Sequence, residues 1–170
     1  RSCPKYGLHN PFSNVDRYVM LGRACTRAAS MLADKDIENY FTTLIQRMIP
    51  KNKEQCRGEV IVTRIFLENF SGDRVRFLGR GFSNPGDHIG QESRGYRWPY
   101  GPVVIISPFN FPLEIPALQT MGALFMGNRP LIKADSKVGI VIEQFIRMLI
   151  ECGLPSQDID LIHCRGSEMG

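Results

Sequence analysis

The last seventy residues alternate short β-branched runs with longer helical stripes, and this alternation constrains the fold more than any other feature. Residues 103–107 (VVIIS) form a continuous apolar run, which predicts a strand buried on both faces. Residues 130–134 (PLIKA) and 159–163 (IDLIH) predict two more strands. Helical patterns at 113–127 and 136–153 separate them. The order β-α-β-α-β predicts an α/β fold with one half of a doubly wound, Rossmann-like parallel sheet.

Local signals mark the ends of the two helices in this region. Gly127 is expected to end the first in a left-handed conformation, and Ser136 to cap the start of the second. Gly153 and Pro155 end the second helix, which carries a regular apolar stripe: Val138, Val141, Ile142, Phe145 and Leu149. A three-stranded sheet with an open edge is incomplete. We therefore expect further strands in a longer protein or from a partner.

Three helices are predicted upstream, at 17–33, from 37 to 48, and at about 53–70. Asp16 or Asn14 is suited to cap the first helix. On the third helix, the predicted buried stripe consists of Val62, Ile65, Phe66 and Phe70. The glycine- and proline-rich text that follows predicts an extended excursion or hairpin. The resulting division is a helical segment at 1–85, an extended arm at 86–101, and a truncated nucleotide-binding domain at 102–170.

Composition excludes several classes of function. The 170 residues carry a formal charge of +4 with no run of five like charges, so a nucleic-acid partner is not expected. Apolar runs are too short for a membrane span. The five cysteines are odd in number and show no C-x-x-C spacing, which favours reduced thiols over a metal site or disulfide framework. The chain begins with Arg1, so we expect it to be processed, trimmed or a fragment.

Two side chains at predicted strand ends have both a chemical and a structural interpretation. Asn110, between Pro108 and Pro112, offers an uncharged N–H donor that can stabilise an oxygen gaining charge in acyl chemistry, or it caps the following helix. Lys133 ends the second strand, where it donates to ribose hydroxyls or simply faces solvent. No G-x-G-x-x-G fingerprint follows the first strand, so any nucleotide binds by another geometry.

Three motifs at matching distances resemble the NAD(P)-dependent aldehyde dehydrogenase superfamily. They are SPFNFPL (107–113), MGNRPLIKADS (126–136) and CGLP (152–155). The upstream text at 67–91, LENFSGDRVRFLGRGFSNPGDHIGQ, resembles the plant-type mitochondrial delta-1-pyrroline-5-carboxylate dehydrogenases. That group oxidises glutamate semialdehyde to glutamate in proline breakdown. The resemblance covers nearly the whole chain.

The resemblance implies a role for each of six residues. Asn110 becomes the oxyanion donor, and Lys133 holds the adenosine ribose. Ser136 stands where the family often has Glu, so its hydroxyl is expected to substitute there. Three residues line the cofactor near its nicotinamide end: Ser107, Pro108 and Phe109. The implied cofactor is NAD and the implied substrate a small aldehyde.

The resemblance also indicates which catalytic residues of the family the chain lacks. No cysteine stands in the family's Gly-Gln-x-Cys-like context, and the general-base glutamate is expected beyond residue 170. The chain is therefore expected to be the amino-terminal portion of a homo-oligomeric enzyme of the mitochondrial matrix, with the cytoplasm as the alternative location. The alternative function is a non-catalytic isoform or fragment that at most binds nucleotide or pairs with a full subunit.

Overall fold

The computed structural model describes residues 14–71, 75, 81–95 and 97–169. Its helices and strands follow in the order α1 (Val15–Ala33), α2 (Lys35–Met48), α3 (Lys53–Asn69), β1 (Phe82–Pro85), β2 (Glu92–Gly95), β3 (Pro102–Ile106), α4 (Glu114–Phe125), β4 (Arg129–Lys133), α5 (Gly139–Glu151), β5 (Asp160–Ile162) and α6 (Gly166–Met169). A 3-10 helix, Ser156–Asp158, precedes β5. The predicted α/β class is confirmed, with helices first and the parallel sheet last.

Side-chain caps begin the first three helices. Asn14, Asp34 and Asn52 each accept a backbone N–H from the first turn that follows, which satisfies donors that the helix itself leaves unpaired. The predicted apolar stripe of α1 is buried along its whole length: Tyr18, Leu21, Cys25, Ala29 and Leu32. Because α1 also contacts α3, α4 and α5, it joins the amino-terminal helices to the helices of the sheet.

The buried face of α3 differs from the predicted one. Ile65 is 41% exposed, and Val62 and Phe66 are only partly buried. The buried side instead carries Cys56, Glu59, Val60, Thr63 and Leu67. The prediction followed hydrophobicity alone, whereas this face buries two polar side chains that are hydrogen-bonded: the Thr63 hydroxyl donates to a backbone carbonyl, and Glu59 pairs with a lysine.

The parallel sheet has the strand order β3-β4-β5. Ile105 and Ile132 are register partners, and both are buried on the face against which α4 packs. On the other face, Val104 is 55% exposed and Ile106 is 63% exposed. The prediction of a strand buried on both faces is therefore wrong for this chain, because side chains alternate across a strand and the described helices cover one face of β3.

The ends of the two sheet-associated helices follow the sequence only in part. Gly127 and Gly153 have φ values of 82° and 110°, which confirms left-handed helix ends at both. The cap predicted at Ser136 is wrong. Helix α5 begins at Gly139, and in the preceding turn it is the Asp135 side chain that accepts a backbone N–H. An aspartate can form this turn with its own carboxylate, so no serine cap is needed.

The excursion before the sheet is a two-stranded antiparallel hairpin. Phe82 pairs with Gly95 and Pro85 with Glu92. Most residues of both strands are exposed, although the Phe82 ring lies so close over Gly95 that a Cβ there would meet it. The hairpin begins at Phe82, four residues before the predicted arm, and the division into domains remains a prediction. Within the described residues, no helix is long and apolar enough to cross a membrane.

Candidate active site

Strands β3 and β4 bring two of the predicted motifs to one edge of the sheet. Ile106 and Lys133 are register partners at the last position of each strand. Beyond them, the Ser107 N–H donates to the Lys133 carbonyl oxygen at 3.1 Å. Because parallel strands end at the same edge, the segments that follow Ser107 and Lys133 leave the sheet side by side. Ligands of open α/β sheets bind at this carboxyl edge.

The predicted site residues divide into buried and exposed groups. Ser107 and Lys133 are 6% and 9% exposed, so their positions are fixed by packing. The other four lie at the surface: Pro108, Phe109, Asn110 and Ser136. The Phe109 ring is 53% exposed, and the Lys137 ammonium lies 5.9 Å from its centroid. This edge of the sheet therefore has two buried residues at the strand ends and four exposed residues in the segments that follow them.

The Asn110 carboxamide is available to a ligand. It is exposed, and within the described part of the chain its amide has no hydrogen-bond partner. The alternative role as a helix cap is wrong, because α4 begins at Glu114 with Leu113 in the cap position. An asparagine side chain with both N–H donors unengaged can donate to an oxygen that gains negative charge.

A buried glutamate on α3, paired with Lys51, supplies the cap that Asn110 does not. The Glu59 side chain is fully buried on α3. One of its oxygens, Oε1, accepts the N–H groups of Leu113 at 2.8 Å and Glu114 at 3.2 Å. The other, Oε2, lies 2.9 Å from Lys51 Nζ. A carboxylate at a helix start satisfies unpaired amides and complements the helix dipole.

Lys51 also contacts the turn that carries Asn110. Its Nζ donates to the Asn110 carbonyl oxygen at 3.2 Å and lies 3.8 Å from the centroid of the Phe111 ring. Sequence reasoning missed both Lys51 and Glu59. The signal was present for Glu59, since it falls at helical spacing among the buried positions of α3, where an unpaired carboxylate is unfavourable.

The same cluster perturbs the carboxyl group at the start of α4. Burial raises the pKa of Glu114, the nearby Glu59 carboxylate raises it further, and the Lys51 ammonium opposes both effects.

Lys133 is a buried cation without a partner in the described part of the chain. The residue is 9% exposed at the end of β4, and its ammonium has no acceptor there. A lysine ammonium carries three donors. Held at the carboxyl edge of a sheet, these donors fit the hydroxyl oxygens of a nucleotide ribose, and the exposed hydroxyl of Ser136 lies three residues further along.

The three buried cysteines of the described residues do not have the environment of a nucleophile. Cys25, Cys56, Cys152 and Cys164 are free thiols, while Cys3 lies outside the described residues. Burial raises the pKa of Cys25 to about 12, with Cys152 adding to the shift, and burial also raises the pKa values of Cys56 and Cys152. A nucleophilic thiol needs a lowered pKa. No cluster of metal-binding side chains occurs among the described residues.

Comparison with known proteins identifies the family. A family profile described as "Aldehyde dehydrogenase family" matches residues 22–170. The chain belongs to the aldehyde dehydrogenase family. It is 60% identical over 167 residues to the protein named delta-1-pyrroline-5-carboxylate dehydrogenase 12A1, mitochondrial, of Arabidopsis thaliana. It is 57% identical, also over 167 residues, to a probable aldehyde dehydrogenase of Linum usitatissimum.

Each of these two alignments covers 98% of this aldehyde dehydrogenase chain but only 30% of the plant relative. A 1-pyrroline-5-carboxylate dehydrogenase of Bacillus thuringiensis is 38% identical over 104 residues, which is 58% of this chain and 20% of the relative. The matched region of the plant enzymes thus corresponds to nearly all of this chain, whereas most of each relative has no counterpart in it.

Solved structures share the fold of this aldehyde dehydrogenase chain. A putative methylmalonate-semialdehyde dehydrogenase from Sinorhizobium meliloti, complexed with NAD, superposes with a TM-score of 0.79 at 22% identity, covering 98% of this chain and 32% of that one. A proline utilization A structure with proline bound in remote sites gives a TM-score of 0.75 at 24% identity, covering 95% and 16%. These similarities establish the arrangement of the helices and the three-stranded sheet.

Proposed function

We propose that this chain is the amino-terminal part of an NAD-dependent aldehyde dehydrogenase that oxidises L-glutamate semialdehyde to glutamate in proline catabolism. The names of the Arabidopsis and Bacillus relatives support this substrate class. The observation that carries the proposal is the accessible carboxamide of Asn110, at the same sheet edge as the partly sequestered ammonium of Lys133.

Asn110 acts on the oxygen of the aldehyde. Attack on the aldehyde carbon moves electron density onto the carbonyl oxygen, and the Asn110 amide donates a hydrogen bond to it as the charge develops. An amide donor of this kind contributes about 3 kcal/mol to transition-state stability. The donor is uncharged, so it stabilises the oxyanion without providing a proton that would end the reaction early.

The cofactor contacts come from the same edge. Lys133 holds the adenosine ribose with its ammonium, and the Ser136 hydroxyl assists. Three residues line the nicotinamide end: Ser107, Pro108 and Phe109. NAD, when bound, accepts the hydride that the substrate carbon loses. The buried backbone of Ser107 fixes the distance between the two ends of this platform, because it is hydrogen-bonded directly to Lys133.

The remaining parts of the proposal concern the whole protein. The nucleophilic cysteine and the general-base glutamate lie outside the residues of this chain, so the chain alone does not oxidise aldehydes. The exposed hairpin formed by β1 and β2 pairs with another subunit of a homo-oligomer, since an isolated two-stranded hairpin is only marginally stable. The Arabidopsis relative is named as mitochondrial, which supports a mitochondrial site of action, and the compartment that we propose is the matrix.

Replacing Asn110 in the complete enzyme tests the proposal. We expect Asn110→Ala to lower kcat for glutamate semialdehyde about 100- to 1000-fold, because the oxyanion loses its donor. NAD affinity, measured by calorimetry, is expected to stay within about twofold, since Asn110 does not hold the ribose. Steady-state production of NADH gives kcat and KM separately.

Asn39→Ala is the matched control, because Asn39 is also an exposed asparagine but lies on α2. Its kcat is expected to equal that of the unsubstituted enzyme. An Asn110→Ala enzyme with unchanged kcat would show that the carboxamide does not stabilise the oxyanion. NADH production by the purified 170-residue chain would contradict the proposal that the nucleophilic cysteine lies outside this chain.

A further inference from the structure

The turn that presents Asn110 is held from outside its own segment. Residues 107–113 contain two prolines and no side chain that caps α4. The fixed points are instead supplied by Lys51, just before α3, and by Glu59, within α3. The hydrogen bonds that they make with the turn join residues 54 to 59 positions apart, so the contact is purely tertiary.

Lys51 and Glu59 together hold both ends of this turn. At the carboxyl end, Glu59 Oε1 receives the N–H groups of Leu113 and Glu114 at 2.8 and 3.2 Å. At the other end, Lys51 Nζ donates to the carbonyl oxygen of Asn110 at 3.2 Å. The ion pair between the two side chains, at 2.9 Å, fixes the distance between these holding points.

The surroundings make this arrangement rigid. The Glu59 side chain is 0% exposed and that of Lys51 is 13% exposed, so neither charge is screened well by water. Hydrogen bonds with a charged partner are stronger than those between neutral groups. The Phe111 ring covers the ammonium at 3.8 Å, which adds a cation–π contact on the side facing the turn.

We propose that Lys51 and Glu59 are positioning residues for the oxyanion donor. They fix the backbone of Asn110 so that its carboxamide points out of the sheet edge toward the substrate oxygen. This inference rests on the function proposed above for Asn110. A donor must lie within hydrogen-bond distance of the oxygen as its charge develops, and a displacement of about 1 Å can cost about 100-fold in rate.

A double-mutant cycle in the complete enzyme tests this inference. The variant Lys51→Met/Glu59→Gln removes both charges together, so neither is left buried and unpaired, and the amides of Leu113 and Glu114 keep a carbonyl acceptor. We expect kcat to fall about 10- to 100-fold. KM for the aldehyde and the Kd for NAD are expected to stay within about twofold.

The same double substitution is then placed in the Asn110→Ala background. If Lys51 and Glu59 act through the donor, removing them causes no further loss of kcat once the donor is gone. An equal loss of kcat in the enzyme with Asn110 and in the Asn110→Ala enzyme would overturn the inference. An unchanged kcat for the double substitution in the enzyme that keeps Asn110 would also overturn it. If Asn110→Ala itself leaves kcat unchanged, the proposed function fails and the positioning role fails with it.

Arg57→Met provides the matched control. Arg57 also lies on α3 and also pairs with a glutamate of the neighbouring helix, with 2.7 Å between its Nε and Glu38 Oε1, but it does not contact the Asn110 turn. Its kcat is expected to be unchanged. Circular dichroism tests whether each variant is folded. If the double variant is unfolded, the single variants Lys51→Met and Glu59→Gln are measured in its place. A fall in kcat for either single variant only when Asn110 is present supports the inference, and a fall independent of Asn110 overturns it.

Discussion

Arg17 and Asp158 form the most deeply buried ion pair outside the candidate site in the described part of the chain. Arg17 Nη1 lies 2.7 Å from Asp158 Oδ2, and the two side chains are 8% and 5% exposed. The pair ties α1 to the 3-10 helix before β5. Two other nitrogens of the same guanidinium are buried without a partner among the described residues. The aspartate is therefore the main compensation for a costly buried cation.

We expect Asp158→Ala to lower the free energy of unfolding by about 3–5 kcal/mol, because it leaves the Arg17 charge buried and unpaired. Urea denaturation followed by circular dichroism measures the change. The double variant Arg17→Met/Asp158→Leu is expected to recover most of the loss, since it removes the cation as well.

Arg147→Ala is the surface control for this prediction. Arg147 lies 2.8 Å from Glu143 within α5, but its side chain is 67% exposed. Such a pair contributes about 0.5 kcal/mol or less. If Asp158→Ala cost no more than Arg147→Ala, burial would not determine the strength of the Arg17 pair.

At the scale of elements, one glycine inside helix α4 and one just after it have opposite conformational requirements. Gly127 follows the helix with φ at 82°, a region that L-residues with a Cβ rarely adopt. Gly122 lies inside the helix, and a Cβ there would meet no other atom within 4 Å. The helix is apolar nearly all round, so its ends cannot be set by an amphipathic pattern.

Alanine at these two positions is expected to have opposite effects. Gly127→Ala should lower the free energy of unfolding by about 1–2 kcal/mol, because a Cβ is strained at positive φ. Gly122→Ala should raise it by about 0.5–1 kcal/mol, because alanine loses less backbone entropy in a helix. The midpoints of urea unfolding of the two variants test these two predictions. If both midpoints moved in the same direction, this account of the two glycines would be contradicted.

The elements also show what sequence alone can and cannot predict. Helix periodicity placed α1 correctly, and glycine marked the carboxyl ends of α4 and α5, because these signals are local. The start of α5 at Gly139 was not predicted. The face of α3 was predicted wrongly, since Glu59 is buried through partners that are distant in sequence. The position of Asn110 at an exposed edge was predictable from strand order. The contacts through which Lys51 and Glu59 hold its turn were not predictable, because they join segments distant in sequence.

At the scale of the whole molecule, the sheet is covered unequally. Ile105 is buried beneath α4, whereas its neighbours Val104 and Ile106 are more than half exposed on the other face. Parallel sheets normally have both faces covered. The apolar run in β3 therefore fits the proposal that the chain is part of a longer enzyme, and we expect further polypeptide to pack on the Val104 face.

Substitutions at Val104 and Ile106 are expected to affect stability differently in the isolated chain and in the complete enzyme. In the 170-residue chain, Val104→Thr/Ile106→Thr should change the free energy of unfolding by less than about 0.5 kcal/mol, because both side chains already contact water and threonine suits a strand. Binding of a hydrophobic dye to the native chain should fall, since the exposed apolar area is smaller. Ile105→Thr, on the covered face, should instead cost about 2 kcal/mol or more.

In the complete enzyme the same two threonines should be unfavourable. If added polypeptide buries Val104 and Ile106, each substitution removes apolar contacts and buries a hydroxyl, at a cost of about 1–3 kcal/mol. Unfolding midpoints of the enzyme with and without the double substitution measure this cost. An enzyme as insensitive as the isolated chain would mean that this face stays exposed, and the β3 sequence would then need an explanation other than a covered parallel sheet.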